Sequence, residues 1–363
     1  MKIAILTQPL RYNYGGIIQN YALQTLLKRG GHEVYTIDRH NDKSPVALFF
    51  YRLWLFVKVR MLRRRAPITP SESRREFLHK TQHLQAFIGK HISTTEYISH
   101  QKHLATLLRE PWDCFVVGSD QVWLKKFKAT TFFDWVPASH PARRCAYAAS
   151  IGASRWRFSP ALTAQCRALA EQFHLLSVRE KSAVALCREH LGVTPHHVLD
   201  PTMLLTAEDY NTLLTSTPPA QEGRILMTYI LDKSPETERI IAQIARERGL
   251  TVVDYALQTG EVVPPIERWL SGFRDADYVV TDSFHGTVFS ILYHKPFTTL
   301  LNARRGSDRF TSLLGLLGLE ERLLIAGEGV ATLPTEEIDF ARVEARLEEQ
   351  RAASLGVLRQ ITE

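Results

Sequence analysis

The sequence predicts an α/β protein with two domains, each built on a parallel β-sheet. The chain has 363 residues, which exceeds the size at which a single hydrophobic core usually stops growing. Short apolar runs alternate with helical patterns, as is typical of parallel sheets covered by helices on both faces. The alternation begins a second time near Gly223, and we therefore expect two such domains.

The first domain begins with a strand, a helix and a second strand. The apolar run from Ile3 to Leu6 predicts the first strand, and apolar residues on one face predict a helix from Gly15 to Arg29. Gly30 and Gly31 end this helix, and Val34 to Ile37 forms the next strand. Further strands are predicted at Cys114 to Val117, Cys145 to Ala148, Leu175 to Val178 and His197 to Leu199.

The second domain repeats this pattern. Its predicted strands are Ile225 to Ile230, Thr251 to Asp254, Tyr278 to Val280 and Phe297 to Leu300, and its predicted helices are Pro235 to Arg248 and about Gly286 to Tyr293. The boundary is placed between Pro201 and Glu222, a stretch in which Thr215 to Gly223 is poor in large apolar residues. We therefore expect one Rossmann-like domain at residues 1–205, a second at 206–335 and a helical tail at 336–363.

Residues 45–80 form an insert that a simple Rossmann-like domain does not require. The chain from Pro45 to Val57 is apolar and aromatic, and a basic cluster from Arg60 to Arg65 follows it. Arg52 and Lys58 make the segment a poor membrane span. Its composition suits a peripheral position at an anionic membrane surface, and the alternative is a helix packed on the sheet or on a second subunit.

The charge balance favours anionic partners. The formal net charge is +7, which suits phosphorylated metabolites or an acidic membrane surface, while a solvated basic face is the alternative. Nucleic acid is not an expected partner, because the sequence has no helix-turn-helix, RNA-binding-sheet or zinc-finger signature.

The cysteines indicate a reducing compartment. Cys114 and Cys145 lie in apolar runs, and none of the 4 cysteines has the spacing of a metal site or a redox pair. The apolar start from Met1 to Leu6 is too short for the core of a signal peptide. We therefore expect a cytoplasmic protein without a cofactor, and also without a metal site, since no histidine-carboxylate set has metal-ligand spacing. The alternative is a divalent ion that the fold brings to Asp120, Asp282 and Asp200.

Small and polar residues follow three predicted strands of the first domain, at the edge where open α/β sheets bind ligands. The segments are Asn13-Tyr14-Gly15-Gly16, Gly118-Ser119-Asp120-Gln121 and Ser177-Val178-Arg179-Glu180. The first opens a helix whose N-terminus favours negative charge, but it lacks the three glycines of a dinucleotide-binding loop. Trp123 could form an apolar wall, and Arg179 suits bidentate contact with phosphate or carboxylate. The alternatives are tight turns, helix caps and a structural Arg179–Glu180 arrangement.

The densest polar group follows a predicted strand of the second domain. It reads Thr281-Asp282-Ser283-Phe284-His285-Gly286-Thr287 and opens a helix. Hydroxyls and free backbone N–H groups would converge there with an imidazole, which exchanges protons near neutral pH. This pattern predicts an anion site that contains an acid or base.

Taken in order, six segments resemble the polysaccharide pyruvyl transferase family. They are Tyr12-Asn13-Tyr14-Gly15-Gly16 with Gln19 and Gln24, Gly118-Ser119-Asp120-Gln121-Val122-Trp123, Tyr147-Ala148-Ala149-Ser150-Ile151-Gly152, Ser177-Val178-Arg179-Glu180, Asp200-Pro201-Thr202 and Thr281-Asp282-Ser283-Phe284-His285-Gly286. The resemblance implies a glycosyltransferase-B-like fold, with a cleft between two Rossmann-like domains and a last helix that returns to the first. It also implies transfer of a pyruvyl group from phosphoenolpyruvate to two hydroxyls of a sugar, as a ketal, with release of phosphate.

The resemblance also implies roles for individual residues. In characterised relatives a histidine and a first-domain arginine serve the donor, and these correspond to His285 and Arg179. Where some relatives have a further arginine this chain has Ser283, so Arg304, Arg305 and Arg309 are candidates to supply that charge.

The complete expected site has three sets of residues. The catalytic set is His285, Asp120 and Asp282; the donor set is Arg179, Ser283, Phe284, Gly286, Thr287 and Arg309; the acceptor set is Asn13, Gly15, Gly16, Gln19, Gln121 and Trp123. The acceptor would be a sugar of a cell-surface polysaccharide or of its lipid-linked precursor.

Two other functions fit the same sequence. A glycosyltransferase that uses a nucleotide sugar would need a carboxylate for the ribose, and Glu261 and Glu267 are available. A non-catalytic subunit of a polysaccharide assembly system could dock through the segment from Pro45 to Arg65.

Overall fold

Two parallel sheets make up the framework of the protein. The computed structural model describes residues 1–40, 45–57, 72–124, 126, 129–217, 223–257, 261–301, 307–325 and 336–363. In the first half the elements are β1 Lys2–Leu6, α1 Tyr14–Arg29, β2 Glu33–Thr36, α2 Pro45–Phe56, α3 Arg74–Lys80, α4 Gln82–His91, β3 Cys114–Val117, β4 Arg143–Ala149, α5 Pro160–Ala170, β5 Leu175–Val178, α6 Lys181–Leu186, β6 His196–His197 and α7 Ala207–Asn211. In the second half they are β7 Ile225–Tyr229, α8 Pro235–Arg248, β8 Thr251–Asp254, α9 Ile266–Asp275, β9 Tyr278–Thr281, α10 Phe284–Leu292, β10 Phe297–Leu301, α11 Asp308–Leu317, β11 Leu323–Ile325 and α12 Phe340–Arg359.

The strands pair in parallel within each sheet. The first sheet has the order β2-β1-β3-β4-β5-β6 and the second the order β11-β10-β9-β7-β8. The central strands β3 and β9 are fully buried, as expected for strands with helices on both faces. The predicted α/β fold with two parallel-sheet domains is confirmed. The domain boundaries at residues 205 and 335 stay a prediction.

Local sequence explains where several helices begin and end. Ser234 caps α8 with a hydrogen bond from the backbone N–H of Thr237, and Gly249 ends this helix in the left-handed conformation. Helix α10 begins at Phe284, earlier than predicted, because the hydroxyl of Ser283 accepts a hydrogen bond from the N–H of Gly286. Strand β11 is an edge strand of three residues that the hydrophobic pattern did not predict.

One hydrophobic core joins the two halves. It includes Tyr14 at the start of α1 and Trp269 of α9, whose rings stack with centroids 5.5 Å apart. The hydroxyl of Tyr14 also donates a hydrogen bond to the backbone carbonyl of Pro264. These contacts hold the N-terminus of α1 against the second half.

The last helix contacts both halves. The guanidinium of Arg351 donates a hydrogen bond to the carbonyl of Met203, and the hydroxyl of Ser354 accepts one from the N–H of Leu199. Helix α12 also packs on α11. The resemblance implies that the last helix returns to the first half, and these hydrogen bonds join the helix to that half.

The insert forms a surface helix. Residues 45–57 are helical, and the large side chains that they expose include Phe49 and Phe50. The predicted basic cluster from Arg60 to Arg65 lies outside the described residues. Among the described helices, none is long and apolar enough to cross a bilayer.

Candidate functional site

Polar residues from both sheets meet at the carboxyl ends of their strands. Ser119 and Asp120 follow β3, Arg179 follows β5, and His285 follows β9 near the start of α10. All four side chains are buried. The structure therefore brings the predicted histidine and arginine together, one from each half of the chain.

Asp200 lies at the centre of this cluster. One carboxylate oxygen accepts hydrogen bonds from Ser119 Oγ and Arg179 Nη1, each at 2.7 Å. The other oxygen accepts from the N–H of Thr202 at 3.1 Å and from its hydroxyl at 2.7 Å. Burial opposes ionisation of this carboxyl, but the positive charges of a protonated His285 and of Arg179, with these hydrogen bonds, lower its pKa to about 2. Asp200 is therefore a buried anion.

Arg179 is held by carboxylates. Besides Asp200, its Nη2 contacts Asp120 Oδ1 at 3.2 Å, and the guanidinium is fully buried. Its Cζ lies 4.7 Å from the ring centroid of Phe284, across the junction of the two halves. Burial opposes its charge, but Asp200, Asp120 and Glu180 together raise the pKa of Arg179. Its Nε has no hydrogen-bond partner among the described residues, so a donor anion could bind this guanidinium there or in place of Asp120.

The imidazole of His285 is buried beside this ion-pair group. Its Nε2 lies 3.8 Å from Asp200 Oδ2, beyond hydrogen-bond distance, and it has no hydrogen-bond partner among the described residues. Burial lowers the pKa of His285, and Arg179 and Arg309 lower it further, against the opposing effect of Asp200 and Asp120. The imidazole is therefore neutral at pH 7, and its buried Nε2 is engaged by no described residue.

Gly15 makes room for this imidazole. A Cβ atom at position 15 would lie 2.0 Å from His285 Nδ1, so no larger residue fits without moving the ring. We predicted that Gly15 contacts the acceptor. In the structure, the packing of the His285 ring explains why position 15 has no side chain. The neighbouring Gly16 lies against the side chain of Asn13, and Asn13 Nδ2 donates a hydrogen bond of 3.4 Å to Asp120 Oδ2.

The backbone around Asp120 is unusual. Asp120 has φ 76° and Ala148, at the end of β4, has φ 51°; both values fall in the left-handed region that residues other than glycine rarely adopt. The register of β4 against β5 shifts between Ala146 and Ala149. Such conformations are concentrated at functional sites, and here Asp120 contacts Arg179 at 3.2 Å.

Several predicted residues of the second half support the backbone. The carboxylate of Asp282 accepts hydrogen bonds from the N–H groups of Leu231 and Asp232, at 2.7 and 2.9 Å. The hydroxyl of Thr287 bonds within the interior to the carbonyl of Ser283 and to Thr299. Gly286 packs tightly on Thr281, since a Cβ at position 286 would lie 2.2 Å from Thr281 Oγ1. These contacts hold the turn that carries His285.

Predicted acceptor residues of the first half lie deeper than expected. Trp123 is only 1% exposed and stacks on Phe132 at 4.9 Å, so it is a core residue and forms no wall of an open site. The side chain of Gln19 is buried and donates hydrogen bonds to Thr7 Oγ1 and to the carbonyl of Gly16. Gln121 packs on Gly152, beside the cluster.

The donor-side arginines are only partly described. Arg309 of α11 lies near the cluster, with its Cζ 5.8 Å from the ring of Phe284, and its charge contributes to the lowered pKa of His285. Arg304 and Arg305 lie outside the described residues.

The sequence did not predict the contacts of two buried carboxylates. Asp200 was considered only as part of a family segment and as an alternative metal ligand, and Glu180 only as the neighbour of Arg179 in an alternative structural arrangement. Glu180 Oε1 accepts hydrogen bonds from Ser150 Oγ and from the N–H groups of Ile151 and Gly152, at 2.7 to 3.0 Å. It therefore fixes the loop after β4. A buried acidic residue just after a strand was the available signal, but its partners lie about 30 residues away in the chain.

A family model described as polysaccharide pyruvyl transferase matches residues 13–304 of the chain. This range includes all the residues of the cluster. No protein in a search of curated sequences matches the chain.

Several solved structures are similar to this chain at low identity. UDP-GlcNAc 2-epimerase of Methanocaldococcus jannaschii, in complex with UDP-GlcNAc and UDP, is 12% identical with a TM-score of 0.49, over 96% of this chain and 92% of that one. A glycosyltransferase of Streptomyces sp. SF2575 is 12% identical with a TM-score of 0.43, over 100% of both chains. ADP-heptose lps heptosyltransferase II of E. coli is 11% identical with a TM-score of 0.39, over 97% of this chain and 99% of that one. No substrate follows from likenesses this distant.

Proposed function

The chain belongs to the polysaccharide pyruvyl transferase family, and from this premise we propose that it transfers a pyruvyl group from phosphoenolpyruvate to two hydroxyls of a sugar. The observation that supports the proposal is the buried Nε2 of His285, which has no hydrogen-bond partner among the described residues and lies 3.8 Å from Asp200. A proton-exchanging group from one half thus meets an arginine and two carboxylates from the other. The acceptor would be a sugar of a cell-surface polysaccharide or of its lipid-linked precursor, and the reaction would take place in the cytoplasm.

The reaction has three bond-making steps. A proton adds to the methylene carbon of phosphoenolpyruvate, which leaves the neighbouring carbon cation-like. One sugar hydroxyl attacks that carbon and loses its proton. A second hydroxyl of the same sugar then displaces phosphate, its proton passes to the departing phosphate, and the cyclic ketal closes. The enzyme must supply an acid, a base and positive charge for the leaving phosphate.

His285 is the proposed acid. In the ligand-free site its pKa is lowered, chiefly by burial, so the imidazole is neutral at pH 7. A bound phosphate and carboxylate add negative charge beside it, and negative charge favours the imidazolium form. Binding of the donor would therefore protonate His285, which could then deliver the proton or hold the phosphate while another acid delivers it.

Arg179 and Asp120 form the second part of the mechanism. We propose that a donor oxygen replaces Asp120 at Nη2 of Arg179, where the present contact is 3.2 Å, while the shorter 2.7 Å bond to Asp200 persists. The displaced carboxylate of Asp120 would then be free to accept a proton from an acceptor hydroxyl. Asp282 is the weaker candidate for this base, because backbone N–H groups already occupy both of its oxygens.

Ligand binding tests the donor without knowledge of the acceptor. Thermal denaturation of the wild type and of His285→Gln would be measured with phosphoenolpyruvate, inorganic phosphate and UDP. We expect phosphoenolpyruvate to raise the melting temperature of the wild type, since a ligand that binds only the folded state stabilises it, and to raise that of His285→Gln much less. His83→Gln, at an exposed position of α4, is the matched control and should behave as the wild type.

Two results would contradict the proposal. Stabilisation by UDP without any by phosphoenolpyruvate would indicate an enzyme that uses a nucleotide sugar. Equal stabilisation of the wild type and His285→Gln by phosphoenolpyruvate would place the donor away from this imidazole.

A further inference from the structure

Helix α2 exposes an apolar face that no other described part of the surface matches. Among the described residues, 11 large apolar side chains are exposed, and 7 of them lie in this helix and the residue after it. They are Val46, Phe49, Phe50, Leu53, Trp54, Phe56 and Val57, with exposed fractions from 36% to 66%. At the 100° per residue of an α-helix they fall within an arc of about 160°. The stripe is therefore continuous along one side of the helix.

The same part of the sequence carries the whole charge excess of the chain. From residue 43 to residue 71 there are seven basic residues and no acidic one: Lys43, Arg52, Lys58, Arg60, Arg63, Arg64 and Arg65. The chain contains 45 basic and 38 acidic residues. Without these seven, 38 basic residues balance 38 acidic ones, so the remainder has no formal net charge.

We propose that α2 docks the protein on an anionic lipid bilayer. The apolar stripe would lie at the boundary of the acyl chains, parallel to the membrane plane, and the positive charge of the stretch would favour anionic lipids. A helix of 12 residues is about 18 Å long, which is too short to span the hydrocarbon core of about 30 Å. The helix would therefore lie on the membrane.

A second copy of the chain fits this face less well. Pairing two α2 helices would cover the apolar stripes, but it would also bring two stretches of seven positive charges together without acidic residues to balance them. An anionic bilayer offers both an apolar layer and negative charge, so it matches both features of the segment. The docking does not depend on the chemistry at His285, and either proposal can fail without the other.

Sedimentation of the full-length protein with vesicles tests the proposal. Vesicles of phosphatidylcholine alone would be compared with vesicles that contain phosphatidylglycerol as well. We expect binding to the anionic vesicles only, weakened at high salt because screening reduces the attraction of exposed charges. The variant Phe49→Ser/Phe50→Ser/Leu53→Ser should bind at least ten-fold more weakly.

A matched variant controls for loss of apolar surface in general. Leu231, Val252 and Ile325 are exposed by 39% to 48%, and their replacement together by serine should leave vesicle binding unchanged. Circular dichroism would show that both variants are folded. Absence of binding, equal binding to neutral vesicles, or a dimer in solution that only the α2 variant disrupts would each overturn the proposal.

Discussion

Replacement of Asp200 by asparagine tests whether this buried carboxylate organises the site. The substitution removes one negative charge and keeps the size of the side chain. It leaves the fully buried guanidinium of Arg179 without its 2.7 Å partner. Removal of one member of a buried ion pair costs about 3 to 5 kcal/mol, because an uncompensated charge remains. Asp120 stays close to Arg179, so we expect the lower end of this range for Asp200→Asn at pH 7.

The pH dependence of the free energy of unfolding provides a second quantity to test. The pKa of Asp200 is about 2 in the folded protein, below the value of 3.8 for a free aspartate. This difference corresponds to about 2 kcal/mol of stability. Because the folded pKa is lowered, the contribution is fully present above pH 4 and is lost as the pH falls toward 2. The stability difference between the wild type and Asp200→Asn should therefore narrow by about 2 kcal/mol over this range.

Urea denaturation followed by circular dichroism measures both quantities. Glu110→Gln is the matched control, because it makes the same chemical change in the exposed pair of Glu110 with Lys2, at 2.9 Å. Exposed pairs contribute about 0 to 1 kcal/mol. If Asp200→Asn cost no more than Glu110→Gln at pH 7, the central role of Asp200 would be refuted.

Three further predictions follow from the geometry of the cluster. Gly15→Ala should displace the imidazole of His285 and weaken the binding of phosphoenolpyruvate, measured by calorimetry, at least ten-fold. The control variant Gly89→Ala, where a Cβ would meet open space on α4, should bind normally and gain up to about 1 kcal/mol of stability. Normal binding by both variants would contradict the packing argument. Binding of phosphoenolpyruvate at pH 7.5 should take up protons, because the pKa of His285 is lowered in the free protein and rises beside the anion. Calorimetry in buffers of different ionisation enthalpy should show this proton uptake in the wild type and a smaller uptake in His285→Gln. Equal uptake by both proteins would exclude His285 as the source. Glu180→Gln should lower the melting temperature, because it weakens the hydrogen bonds that hold the loop at Ile151. Glu189→Gln, at a side chain that is 72% exposed, should leave the melting temperature unchanged. Equal effects of the two substitutions would show that the buried hydrogen bonds of Glu180 contribute little to stability.

The framework of the fold could be predicted because its signals are local. The apolar runs of β3 and β9 and the helix pattern of α1 depend on neighbouring residues, and their bounds agree with the structure within a residue or so. The convergence of Asp120, Arg179 and His285 could be predicted from topology, since all three follow strand ends. Short edge strands such as β11 carry too few residues for a pattern.

The hydrogen bonds and ion pairs within the site could not be predicted, because they join segments that are distant in the sequence. Asp200 meets Arg179 from 21 residues away and Ser119 from 81 residues away, and nothing near Asp200 in the sequence indicates these partners. Trp123 follows a glycine-containing loop, as a ligand-binding aromatic residue would, yet its position against Phe132 is decided by packing within the first half.

The junction of the halves also bears on how a ligand could enter. His285 and Arg179 are almost fully buried, and Gly15 packs directly against the imidazole. We expect the two halves to separate slightly at this point before a donor can bind, with the shared core around Tyr14 and Trp269 as the part that holds them together.

The most direct test is an experimental structure of the protein with phosphoenolpyruvate bound. The proposed function predicts a donor oxygen at about 3 Å from His285 Nε2, a second donor oxygen at Arg179 Nη2, and the carboxylate of Asp120 turned away from that guanidinium. Phosphoenolpyruvate bound elsewhere, with the His285, Arg179 and Asp120 contacts unchanged, would contradict it.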